Sequence, residues 1–159
     1  MKIHPLFGLA LWLGLCLAMM VTGALFTTPA IPGWYSGLKK PVWTPPSWVF
    51  GPVWFILYFL MALAAWLVWK QENLPLFHWP LVVFVIQLGL NLGWSYIFFG
   101  LQKPGMAFGE IVFLWSAILI TLASFWPINR FAGFLLLPYF IWVTFAAFLN
   151  FSIWRLNRF

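Results

Sequence analysis

The stretch KKPVWTPPSWVFGPVW, residues 39–54, sets two lysines, four prolines and three tryptophans directly before the apolar run FILYFLMALAAWLVW, residues 55–69. The first half is too basic for a membrane core and too aromatic for an ordinary linker. Together the halves read as a boundary: basic and aromatic residues at headgroup level, then a helix entering lipid. Thr44 followed by Pro45 and Pro46 predicts an N-cap and a first helical turn, where proline's missing N–H costs nothing.

The remaining chain fits the same solvent. It has 159 residues, 65% hydrophobic and only 6% charged, whereas soluble domains carry about 25% charged residues. A bilayer core requires about 20 apolar residues in helical form. Five stretches qualify, 6–26, 47–69, 79–99, 106–126 and 132–154, separated by TTPAIPG, KQENLP, LQKPG and WPINR. The ten-residue alternating segments of a membrane barrel are absent. The first run is long enough to span and lacks a small-x-small cleavage site, so it is expected to be a retained helix. The predicted fold is an all-α membrane protein: one five-helix transmembrane bundle over residues 1–159, with the long first loop, Thr27 to Pro46, as its lid.

Charge supplies orientation. The net charge is +6, from eight Lys and Arg against Glu72 and Glu110. Lys2, Lys70 and Arg130 fall on one membrane face, and Lys39, Lys40, Lys103, Arg155 and Arg158 on the other. Three against five puts the second face, and the C-terminus, in the cytoplasm. No basic stripe exists, so the charge marks topology and lipid headgroups and not nucleic acid.

Several chemistries find no support. Cys16 is the only cysteine, which rules out a disulfide within the chain. His4 and His78 lie near span ends, unsuited to a bis-histidine haem inside the bundle. Two carboxylates and one thiol make no metal cage, and no Gly-rich phosphate loop occurs. Glu110, early in the fourth span, is either a headgroup-level residue partnered by Lys103 or a proton-relay group.

Polar residues inside lipid need a partner or a cavity. Gln87, Asn91, Trp94 and Phe98 share one helical face by their spacing. Tyr139, Trp142, Ala146 and Asn150 form a second such face, and Phe50, Trp54, Tyr58 and Met61 a third. Three helices thus each carry a stripe of rings, two of them with amides, which suits either a ligand pocket or core packing with interhelical pins. Pro138 is expected to kink the fifth helix and free a backbone carbonyl. Gly89 and Gly93, nearly opposite Gln87 and Asn91, suit close helix approach, either within the chain or in a homodimer.

Three segments carry a resemblance: WYSGLKKPVWTPPSWVFGPVWFILYFLMALAAW (34–66), QLGLNLGWSYIFFG (87–100) and PYFIWVTFAAFLNFSIWRLN (138–157). They resemble the tryptophan-rich sensory protein family, also called the translocator protein or peripheral benzodiazepine receptor family, over nearly the whole chain. The resemblance implies a five-helix bundle, commonly dimeric, whose first loop folds over a pocket. It implies binding of porphyrins such as protoporphyrin IX and haem, and of synthetic isoquinoline or benzodiazepine ligands. For eukaryotic members it extends to cholesterol. No cofactor is required.

By position, the resemblance implies that Tyr35 is the loop tyrosine near the pocket. It implies ligand contact and porphyrin photochemistry for Trp54 and Trp142, and pocket positions for Asn91, Trp94 and the small Ala146. Phe151 stands where the cholesterol-recognition pattern has tyrosine, which puts sterol binding through that segment in doubt. A porphyrin is a flat apolar plate with two carboxylates, so rings would cover the plate and amides would reach its edge. Lys39 and Lys40 either pair with the propionates or mark topology alone. Light-dependent porphyrin breakdown would be either evolved turnover or photosensitised damage. A transporter of porphyrins or lipids is the competing function, although no inverted repeat is visible. A regulator acting through a protein partner is a third. Short loops without a targeting extension point to a bacterial cytoplasmic membrane, with the outer membrane as the alternative.

Overall fold

The computed structural model describes residues 5–72 and 78–157. Its helices are α1 (Pro5–Ala30), α2 (Phe50–Glu72), α3 (Trp79–Ser95), α4 (Pro104–Phe125) and α5 (Arg130–Asn157). With the short turns appended to them, five helices are long and apolar enough to cross a membrane. Lys2 and Arg158 lie outside the described residues.

Packing contacts close the helices into a ring in the order α1, α2, α5, α4, α3 and back to α1. The core fills the ring with Met61, Ala62, Ala65, Leu81, Phe84, Leu114 and Tyr139. Outward positions are also apolar, as with Phe7, Phe113, Phe131 and Ile141, which suits lipid on the outside.

Prolines start the helices. Pro80 and Pro104 occupy the first turns of α3 and α4, where no backbone N–H is needed. Asn129 caps α5, its Oδ1 accepting the Ala132 N–H at 3.0 Å.

The first helix corrects the predicted boundary. α1 continues to Ala30, widens into a π-helical turn, Ile31–Tyr35, and stays helical through Gly37, so the loop proper begins at Leu38. Thr27 and Pro29 look like loop residues, yet the Thr27 hydroxyl donates to the Gly23 carbonyl at 3.0 Å. Threonine hydroxyls and π-type adjustments of this kind are what let proline persist in membrane helices. A second correction concerns Thr44. It is no N-cap: its hydroxyl and N–H both donate to the Pro41 carbonyl, closing a turn. Pro46 is extended at φ −56°, ψ 143°, and helical structure starts with a 3₁₀ turn at Ser47–Val49. Pro45 and Pro46 disfavour the α region for Thr44 and Pro45, the residues before them, which delays the start of the helix.

Candidate ligand cavity

A cavity of about 770 Å³ lies between the α1, α2, α3 and α5 walls, at the end of the bundle nearest the first loop. Tyr35, Phe50, Trp54, Tyr58, Asn91, Trp94, Phe98, Trp142, Ala146 and Asn150 line it. The stripes read from the sequence therefore meet at one place. No Lys, Arg, His, Asp or Glu is among the lining residues.

Gln87 and Tyr139 belong to the same helical faces but stand behind the wall, fully buried. They hold it in place. The Tyr58 hydroxyl donates to Asn91 Oδ1 at 2.8 Å, and Asn91 Nδ2 donates to Tyr139 Oη at 2.9 Å. Tyr139 in turn donates to Gln87 Oε1 at 2.8 Å. This one-directional chain links α2, α3 and α5, and it leaves Asn91 no rotational freedom. Closer to the loop, the Trp94 indole donates to Asn150 Oδ1 at 2.9 Å, while Asn150 Nδ2 donates to the Pro104 carbonyl at 2.7 Å.

Rings make most of the remaining wall. Trp54 lies 5.8 Å from Tyr58 and 6.3 Å from Tyr139 between centroids. Trp142 lies 5.9 Å from Phe50. Trp94 stacks on Phe98 at 5.1 Å. Trp43 is half-exposed and meets Phe145 at 5.7 Å, so the loop rests on α5. Trp48 is exposed at the boundary, as an interface anchor should be.

The two lysines separate. All three N–H donors of the Lys40 ammonium are engaged by the carbonyls of Tyr35, Ser36 and Leu38, and it sits 4.7 Å over the Tyr35 ring. It therefore caps the end of the first helix. Partial burial lowers its pKa. This geometry ties the Lys40 ammonium to the loop's own carbonyls; the Lys39 side chain is exposed.

Two groups escaped the sequence reading. Met20, Gly23, Ala24 and Thr27 of α1 form a whole wall. Asn157, one turn beyond the lining residue Ile153, binds the loop through Lys39. The α1 wall carried no polar signal apart from its threonines.

The glycine pair also divides. A side chain at Gly93 would meet Glu110 Oε1 at 3.7 Å, so Gly93 serves the α3–α4 contact, whereas Gly89 faces open space. Both Glu110 oxygens are buried and have no hydrogen-bond partner, Lys103 included, among the described residues.

Comparison with known proteins supplies the family. The TspO/MBR family model matches residues 12–155. The chain belongs to the TspO/MBR family. It is 44% identical over 153 residues to the tryptophan-rich protein TspO of Chlorobaculum tepidum, covering 94% of this chain and 95% of that one. It is 40% identical over 144 residues to protein CrtK of Rhodobacter capsulatus, covering 89% and 88%. The human translocator protein is 39% identical over 130 residues, covering 79% and 75%. Family membership and the five apolar helices make the chain an integral, multi-pass membrane protein.

Proposed function

We propose that the protein is a membrane receptor for tetrapyrroles, protoporphyrin IX or haem. The observation that carries this reading is a cavity of about 770 Å³ walled by aromatic rings and free of charged side chains. A pocket of that kind favours a large, flat, apolar ligand. The propionates then lie at the mouth, with Lys39 as the available cation. The test is titration of purified protein in lipid discs with protoporphyrin IX and haem. Absence of saturable binding, or binding unaffected by Trp54→Ala and Ala146→Trp, would refute it.

Trp54 and Trp142 are placed as photochemical partners, because an indole against the plate can donate an electron to an excited porphyrin. Illuminating bound protoporphyrin in wild type and in the Trp54→Phe, Trp142→Phe double variant tests this. Equal product yield and identity would assign the chemistry to photosensitisation alone.

A transporter reading is favoured by one feature. Val21, Leu25 and Phe55 line the cavity and are also exposed on the outside of α1 and α2, toward lipid. Porphyrin flux across sealed proteoliposomes separates transport from sensing. For assembly, we place a second copy on the open Gly89 face of α3. Loss of a crosslinked dimer in Gly89→Leu is the expected result. The C-terminus is placed in the cytoplasm of a bacterial inner membrane, to be checked by tag accessibility.

A further inference from the structure

Tyr35 closes the π-helical turn with its ring among Phe50, Phe98 and Phe99. It lines the cavity and is only 4% exposed. Its hydroxyl nevertheless has no hydrogen-bond partner among the described residues. The other buried polar side chains on the wall, Tyr58, Asn91 and Asn150, are all paired with protein. A buried hydroxyl without a partner is costly, and native structures rarely keep one without a use. Among the buried side chains of the wall, Tyr35 thus carries the one unpartnered donor, beside the half-buried Trp54 and Trp142 indoles, and the wall bears no charge.

We propose that Tyr35 is the recognition residue of the cavity, donating its hydroxyl hydrogen to a single neutral acceptor on an otherwise apolar, planar ligand. The acceptor is a carbonyl, ester or ether oxygen. A carboxylate in the same place would surrender its hydration for one hydroxyl, with no cation on the wall to compensate. Charged ends of a ligand thus stay at the mouth. This rests on the reading of the cavity as a ligand site, and it adds which part of the ligand is read and by what.

The experiment compares pyrene with 1-acetylpyrene, the same plate without and with one carbonyl. Full-length protein in lipid discs is titrated with each, empty discs serving as the reference for partition. Wild type is expected to prefer the ketone about five- to tenfold, the worth of one neutral hydrogen bond. Tyr35→Phe keeps the ring and is expected to abolish that preference. Equal affinities in wild type, a preference retained in Tyr35→Phe, loss of both ligands in the variant, or failure of either pyrene to bind overturns the proposal.

A second comparison uses wild type alone, so it does not depend on a variant that folds. Protoporphyrin IX dimethyl ester should bind more tightly than etioporphyrin, which has no oxygen, and the reverse order overturns the proposal. A ketone preference that vanishes in Tyr35→Phe, found in a protein that binds no porphyrin, would uphold Tyr35 and reject the tetrapyrrole reading.

Discussion

Asn157 and Lys39 hold each other, joining the first loop to the last turn of α5. The Lys39 N–H donates to Asn157 Oδ1 at 3.0 Å, and Asn157 Nδ2 donates back to the Lys39 carbonyl at 2.9 Å. Other hydrogen bonds of the loop, among the described residues, stay within residues 31–50. The clasp is therefore what fixes the loop to α5 by polar contact, aided by Trp43 on Phe145. Asn157→Ala should raise amide hydrogen exchange at residues 38–40 about tenfold, each lost bond being worth about 0.5–1.5 kcal/mol. Exchange in α2 to α5 should stay unchanged, and bound porphyrin should leave about fivefold faster. Unaltered exchange at Lys39 would show that the loop is held by ring contacts alone.

The buried chain from Tyr58 through Asn91 and Tyr139 to Gln87 gives the second prediction. Asn91→Leu removes the central amide and strands the Tyr58 hydroxyl inside the bundle, while Tyr139 keeps its bond to Gln87. A loss of about 1–3 kcal/mol is expected, read from the unfolding midpoint in detergent. Adding Tyr58→Phe should restore most of it, because the stranded hydroxyl is then gone. A double variant no more stable than Asn91→Leu would mean that lost packing, not polar satisfaction, sets the cost.

The same residues show what the sequence could reveal. Amides and phenols at helical spacing identified the inner faces of α2, α3 and α5, since a polar group in lipid must turn inward. Depth within a face was not legible. Asn91 and Gln87 lie one turn apart on one stripe, yet one meets the cavity and the other supports it. The α1 wall was invisible for a related reason. Membrane helices are apolar on both their lipid and core sides, so hydrophobicity carries no direction, and α1 has few polar groups to supply one. Its end was misplaced because TTPAIPG has loop composition, while the Thr27 hydroxyl and a π-turn keep it helical. Asn157 gave no signal because its partner is a backbone 118 residues away.

The lysines at the start of the loop should respond differently. Lys40→Met keeps the aliphatic stem but removes the ammonium from three carbonyls and from the Tyr35 ring. Exchange at residues 35–38 should rise, and ligands read by Tyr35 should bind about threefold to tenfold more weakly. Lys39→Met retains the backbone clasp, so loop exchange should not change. It should weaken protoporphyrin IX but not its dimethyl ester. Identical effects of the two substitutions on both ligands would reject the division of roles.

Glycines allow the last test, because two of them in lipid-spanning helices have opposite surroundings. A Cβ on Gly105 would sit 2.8 Å from Trp154 Nε1, and that indole is flanked by Phe108 at 5.9 Å and Phe151 at 6.1 Å. With rings beside it the indole cannot simply swing away, so Gly105→Ala should cost about 1–3 kcal/mol through overpacking. A Cβ on Gly89 meets nothing within 4 Å. Gly89→Ala should then be neutral, or stabilise the isolated chain by up to about 1 kcal/mol through helix propensity. Unfolding midpoints of the two variants, measured in dilute detergent where the chain is monomeric, provide the comparison. A loss at Gly89→Ala under those conditions would mean that α3 is covered by its own chain, leaving no open face for a second copy.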